Sequence, residues 1–361
     1  MFKIKLVTDN QIVVYYHYRY IVYITLGGLL MKKIFQILLT LGLIMTPFFA
    51  QAHVKWFTKV VPHKESIEHI LSPMFIFLTL VAAIVLATLT LIIPKMAEWE
   101  PVKKMENRLS GLRKYSRYLL KYGTAIALMI QMMNGTLFAP EFHVSSMIIT
   151  VLTWVTIGLL LIPHHISTKI GASILLGLFI YVTIHHGIFY MLDYGFYVAI
   201  IGVLLVGNTK LEKAGFPFLY LGTGLSLSWV AVEKWVYPGM ALDIVTNHHV
   251  PTFGFEPSLF VVMAAFIEFV VGYLLVVGIL NRVLGFVVTG IFISTTMLFG
   301  MTEVIGHFMI HIVLIIFIIE GVSFYNPPIK MHKTKTDQFI FVFLNFIFVL
   351  ATFLLIYYRF A

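Results

Sequence analysis

Cysteine is absent from this 361-residue sequence. That absence removes disulfides, thiolate metal sites, Fe–S clusters and covalently attached c-type haem together. Any metal or haem would have to be held by histidine, carboxylate or methionine. Charge is scarce as well: 11% of the residues are charged and 60% are apolar, whereas soluble domains carry about 25% charged residues. No Gly-rich phosphate loop and no Ser/His/Asp arrangement stands out, which disfavours ATP-driven transport and hydrolysis.

What is present is a recurrence of apolar runs, each of about 20 residues and so long enough to cross about 30 Å of hydrocarbon. They fall at 71–94, 118–137, 146–163, 170–186, 189–206, 216–237, 258–280, 283–300, 302–322 and 338–357. The fold class expected is an all-α integral membrane protein with about ten transmembrane helices. The formal charge of +9 does not point to nucleic acid, because the basic residues sit in short loops between the apolar runs. Alternate loops hold Lys95, Lys103, Lys104, Arg108, Arg113, Lys114, Lys169, Lys210, Lys213, Arg282, Lys330, Lys333 and Lys335, while those near 140, 188, 247 and 301 hold no Lys or Arg. Positive-inside orientation then puts the first set in the cytoplasm. Lys55, Lys59, Lys64 and Arg359 are the exceptions.

Met31, Lys32 and Lys33 open a basic n-region, Ile34 to Phe49 is an apolar h-region, and Ala50-Gln51-Ala52 is an A-x-A cleavage site. A cleavable signal peptide is therefore expected at 31–52, with His53 as the first mature residue and the mature N-terminus in the periplasm. Residues 1–30 fit nothing in this scheme. Gly27-Gly28 lies where a translated ribosome-binding site would fall, so 1–30 reads as an upstream extension. The plainer alternative is that 34–49 is an uncleaved anchor, although it is shorter than a span. The remaining segments are a periplasmic stretch at 53–70, a first span and basic cytoplasmic loop at 71–117, and a last span at 338–357.

An internal repeat emerges when 118–207 is laid over 216–322. Gly123-Thr124 falls on Gly222-Thr223, Pro140 on Pro238, Gly158 on Gly272, Leu160-Leu161 on Leu274-Leu275 and Gly171 on Gly285. An even number of spans per unit makes the copies parallel. Asn134, Trp154, His185, Phe189 and Asp193 in the first copy fall on Glu233, Glu268, Glu303, His307 and His311 in the second. The second copy thus carries the chemistry and the first reads as scaffold.

Residues 216–321 hold Gly222-Thr223-Gly224, Glu233, Lys234, Pro238 and the Glu-x3-Gly-x5-Gly-x3-Arg pattern of Glu268, Gly272, Gly278 and Arg282. In these features the segment resembles the DoxX-like family of four-helix membrane domains. The His-Val-Lys-Trp-Phe run at 53–57 looks like the mature start of some multi-span members. The resemblance implies a four-helix unit here, so that with the overlay above the chain is expected to hold two parallel four-helix DoxX-like repeats, the first degenerate. It also implies a link to membrane oxidoreductase assemblies, including thiosulfate-to-quinone electron transfer, without implying one settled activity.

An ionisable group at the centre of a membrane helix costs at least about 2.5 to 3.5 kcal/mol and so requires a partner or a purpose. Glu268 lies roughly 15 Å into its span at 1.5 Å per residue. Glu303, His307 and His311 recur at a spacing that sets them on one helical face, and Glu233 and Lys234 close the preceding span at a similar level. The candidate site is therefore Glu233, Lys234, Glu268, Glu303, His307 and His311, with Glu268 expected to face His311. Most histidines lie toward the outer side: His53, His63, His69, His143, His185, His186, His248, His249, His307 and His311, against His164, His165 and His332 inside.

Three readings stay open. In the first, the chain is a quinone-linked redox subunit of the bacterial inner membrane with a proton-handling pocket on its periplasmic side and a membrane or periplasmic redox partner. In the second, it handles periplasmic copper or zinc through His53, His248, His249, His307 and His311, His53 offering an amine and an imidazole together. In the third, the polar residues only join helices and the protein is a non-catalytic scaffold for a partner enzyme.

Overall fold

The computed structural model describes residues 54–97, 100–321 and 334–361. The expected extension at 1–30, the expected signal peptide at 31–52, and His53, Lys330 and Lys333 lie outside these residues. Two short helices, α1 (Val54–Phe57) and α2 (Ile67–Ile70), precede the long α3 (Pro73–Ala97) and the polar α4 (Glu100–Ser110). Next come α5 (Ser116–Met133), the antiparallel hairpin β1 (Thr136–Leu137) and β2 (Ala139–His143), α6 (Met147–Leu161) and α7 (His165–His186). A short α8 (Ile188–Met191) runs through a tight turn into α9 (Phe196–Val206). The second half comprises α10 (Gly215–Val236), α11 (Pro238–Asn247), α12 (Pro257–Val277), α13 (Asn281–Phe299) and α14 (Met301–Glu320), and α15 (Lys335–Phe360) follows.

Local sequence accounts for most boundaries. Pro238 and Pro257 occupy first-turn positions, where a missing N–H costs nothing. The Glu256 carboxylate accepts from Leu259 N at the start of α12, and Thr334 and Asp337 form a capping box on α15. Gly187 (φ 88°) separates α7 from α8, and Gly300 (φ 71°) separates α13 from α14. Positive φ at these two breaks is what glycine alone adopts without strain.

Each of the ten apolar runs coincides with a helix. Among the described residues seven helices are long and apolar enough to cross a membrane: α3, α7, α10, α12, α13, α14 and α15. The pair Ile188–Tyr194 and Phe196–Val206, bent by 65°, makes an eighth if taken as one span. The chain is thus a multi-pass membrane protein whose apolar helices meet lipid. The two runs that fall short do so for visible reasons. α6 has 15 residues, about 22 Å of helix, and α5 carries Arg117, Lys121 and Gln131. Gln131 is fully buried, with its amide donating to Phe138 O and Tyr197 Oη and accepting from Phe138 N, so it ties the β hairpin to α5 and α9.

α10 lies at the centre, packed against α9, α12 and α15. α10 and α12 come closest where Gly224 meets Gly272. A Cβ on Gly272 would lie 2.6 Å from Gly224 O, and a Cβ on Gly224 would lie 2.6 Å from Gly272 O. α14 packs on α13 and on α5. The N-terminal segment marks one end of the bundle: Glu65 N donates to Val236 O at 2.9 Å, and Lys64 Nζ donates to Tyr358 O at 3.0 Å and Ala361 O at 2.7 Å. The arginine-rich end, with Arg113, Arg117 and Arg282, is the opposite one, beside the last turns of α9 and α14.

Candidate functional site

Lys55, on the four-residue α1, is driven into the bundle with its side chain 5% exposed. Its ammonium donates to Asp193 Oδ2 at 2.6 Å and to Tyr190 O at 3.3 Å, and lies 2.8 Å from Glu233 Oε1. Two carboxylates from different helices, Asp193 at the α8–α9 turn and Glu233 on α10, share one cation. Burial alone would lower the Lys55 pKa, but the fields of Asp193 and Glu233 outweigh it and hold it above the ordinary lysine value. Tyr357 of α15 donates to the same Glu233 oxygen at 3.3 Å.

Trp56 continues the insertion. Its indole Nε1 donates to Tyr194 Oη at 3.0 Å, and its ring lies 4.7 Å from the His307 ring and over Gly306, where a Cβ would collide with it. Tyr194 in turn donates to Glu141 Oε1 at 2.5 Å. Burial raises the Glu141 carboxyl above its ordinary value, opposed by the Tyr194 hydrogen bond and the Lys55 charge.

Two further ion pairs border a common cavity. Lys234 of α10, 1% exposed, binds both carboxylate oxygens of Glu268 on α12 at 2.5 and 2.6 Å. On α14, Glu303 is fully buried; its Oε2 accepts from Thr295 Oγ1 at 2.8 Å and lies 2.5 Å from His307 Nδ1. Glu303 Oε1 has no hydrogen-bond partner among the described residues. The His307 ring is stacked on Phe292 at 4.3 Å. The cavity between the pairs is lined mostly by apolar side chains, Phe196, Leu227, Val230, Phe292 and Ile310 with Trp56 and Tyr194, into which Asp193, Thr223, Ser226, Lys234, Glu268 and His307 bring the polar groups. Its volume of about 60 Å³ gives room for a few water molecules.

Five of the six candidate site residues therefore belong to this polar region, but in partnerships different from the expected one. Glu268 does not pair with His311. Its partner is Lys234, because the glycine contact brings α12 onto α10, whereas α14 lies against α13 and α5. His311 sits edge-on to Phe292, 6.0 Å between ring centres. Glu233 and Lys234 are sequence neighbours that turn to different networks, the first to Lys55 and the second to Glu268.

The candidate metal ligands are divided as well. His248 packs against Phe57 and Phe299 in the loop after α11, away from the His307 pair, and His249 follows it in a left-handed turn (φ 52°). Among the described residues no group of three or more His, Asp or Glu side chains could hold a metal ion. His248, His249, His307 and His311 are therefore not gathered into such a group, and His53 lies outside the described residues.

Sequence reasoning left out Lys55, Trp56, Asp193, Tyr194 and Glu141. Two of them did carry a signal. Lys55 breaks the positive-inside pattern, and Asp193 is the sole charged residue in the apolar stretch 188–206. No family model, no curated protein and no solved structure matches this chain.

Proposed function

We propose that this chain is a bacterial inner-membrane protein of the DoxX-like type with about ten spans, its processed N-terminus in the periplasm, and that it serves as the membrane subunit of a quinone-linked redox assembly. Its own part is to move protons along the ionisable groups that border the small cavity on the periplasmic side. The observation that carries this reading is the Glu303–His307 contact, 2.5 Å long, on the wall of a water-sized cavity that Lys234 and Glu268 also line. A carboxyl group beside an imidazole is an arrangement through which a proton can pass. Because Nδ1 faces Glu303, Nε2 is the ring nitrogen left to exchange a proton with cavity water. Glu268, 24% exposed, is the more accessible carboxylate and the natural entry point.

The residues of the family-like pattern each have a physical task. Glu268 pairs with Lys234, Gly272 permits the approach to α10, Gly278 ends α12 in a left-handed cap, and Arg282 holds the last turn of α14 through Ile318 O. The two-repeat reading draws support from packing. The last helix of each half lies on the first helix of the other, α9 on α10 and α14 on α5. Gly222 and Gly123, which the overlay equates, sit at those contacts, against Ala199 and Ile312. Equating the break glycines Gly187 and Gly300 shifts the last helix by five residues from the sequence overlay and sets Tyr190 and Tyr194 against Glu303 and His307. Trp56 then lies between two equivalent positions, Tyr194 and His307.

The scaffold reading uses the same ion pairs as joints between helices. One comparison separates it from the redox reading: the quinol-to-quinone ratio in membranes of cells with the gene intact, with the gene deleted, and with Glu268→Gln. The redox reading expects the ratio to change on deletion and to change in Glu268→Gln by more than the loss of membrane-inserted protein explains, each ratio being normalised to membrane abundance. Equal ratios in all three would leave only the scaffold.

A further inference from the structure

At the end of the bundle opposite the small cavity lies a second and larger hollow of about 430 Å³, within the range of small-molecule sites. Its walls come from the start of α5, the turn into α7 and the loop between α9 and α10. They carry Lys114, Arg117, Lys121, His164 and His165, with Glu212 the one carboxylate among the lining residues. That carboxylate is already engaged, 3.0 Å from Arg117 Nε.

We propose that this hollow binds a phosphate-type oxyanion, either a lipid headgroup or a free anion. Arg117 is committed to the protein, donating to Val203 O at 3.0 Å and Glu212 O at 2.6 Å. Lys121 gives one donor to Ile162 O at 2.6 Å, which leaves two N–H groups on the ammonium. Lys114 rests on the Tyr115 ring, 4.9 Å from its centre, with its N–H groups available. The Nδ1 of His164 accepts from Ile166 N, so its Nε2 carries the hydrogen and donates outward. α7 begins here and aims its positive end into the same space. Three fixed cations against one engaged carboxylate leave the hollow net positive. A multidentate oxyanion satisfies those converging donors; a neutral ligand does not. The exposed Ile162 and Ile166, 46% and 52% accessible, flank the hollow and give a lipid's acyl chains somewhere to lie.

The test uses the purified full-length protein in detergent, with native mass spectrometry and thermal unfolding as readouts. The probes are phosphatidylglycerol, phosphatidylcholine and inorganic phosphate. Phosphatidylglycerol is expected to be retained and to raise the unfolding temperature, and phosphatidylcholine is not. If inorganic phosphate protects as well, a soluble anion suffices; if only phosphatidylglycerol does, the ligand is a lipid headgroup. Lys114→Gln removes a cation that caps no helix, so the fold is kept, and it should weaken binding about fivefold. Lys114→Gln with His165→Gln should weaken it further. Equal retention of the two lipids with no effect of phosphate, or unchanged binding by both variants, overturns the proposal.

Discussion

The two ends of this molecule use the same residue types for different ends. At the arginine-rich end the cations close helix C-termini. Arg282 donates to Ile318 O at 2.7 Å and Ile319 O at 3.3 Å, Arg113 to Glu320 O at 2.7 Å, Arg117 to Val203 O and Lys121 to Ile162 O. Each relieves carbonyls that a helix leaves without partners, where the macrodipole also favours positive charge. Glu106 ties Arg113 and Arg282 together. At the other end the ion pairs of Lys55 and Lys234 with Asp193, Glu233 and Glu268 stand beside a cavity. Lys64, on that same side, follows the fastening rule by closing α15. The difference teaches that an ion pair in a membrane protein is read from what surrounds it. Cations on helix ends are fasteners, and cations on carboxylates around a water-sized space are the ones available for chemistry.

The sharpest way to stress this contrast is Lys55→Met, for which we expect the largest effect. It leaves Asp193 and Glu233 facing each other without their shared cation. Removing one partner of a buried ion pair costs about 3 to 5 kcal/mol. Folded protein should drop in membranes and in detergent extracts, and adding Asp193→Asn and Glu233→Gln should restore most of it. A Lys55→Met protein as stable as the wild type would show that the N-terminal insertion is not held by charge.

Arg282→Gln attacks the fastening end. It removes charge-assisted hydrogen bonds to the end of α14 and the ion pair to Glu106, and should lower stability by about 1.5 to 3 kcal/mol. Activity per folded molecule should stay unchanged. Chemical denaturation followed by tryptophan fluorescence gives the first quantity, and growth normalised to membrane abundance gives the second.

The smallest effect concerns Glu141, whose carboxyl burial holds above the ordinary 4.5. The folded protein therefore binds this proton more tightly than the unfolded chain does. The resulting stabilisation is full below pH 4.5 and is lost as pH rises through the raised folded-state value. Glu141→Gln keeps an acceptor for Tyr194 but cannot titrate, so its unfolding temperature should decline less over that window. Parallel pH profiles for the two proteins would remove Glu141 from the account.

Much of this architecture was legible in the sequence, since about 20 apolar residues in a row have few other fates. The helix positions and the separation of basic loops onto one end follow from composition and order. Partnerships were harder to read. Depth along a helix placed Glu268 and His311 at one level, yet depth says nothing of azimuth, and the Gly224–Gly272 contact turns Glu268 toward Lys234. Lys55 and Asp193 are 138 residues apart, and no local pattern announces that a four-residue helix will push a lysine between two distant acids. The described histidines show a related point: abundance on one side of the membrane is not convergence on one site.

The central claim is that the Glu303–His307 pair acts chemically while the Arg282 cluster only fastens. The most direct measurement is complementation of a deletion strain under the condition that requires the gene, normalised to membrane abundance, for Glu303→Gln beside Arg282→Gln. An amide at 303 can still accept from Thr295 and sit against His307, so abundance should be near that of the wild type. We expect Glu303→Gln to fail in complementation and Arg282→Gln to support growth in proportion to its abundance. Growth of the Glu303→Gln strain in proportion to its abundance would contradict the account.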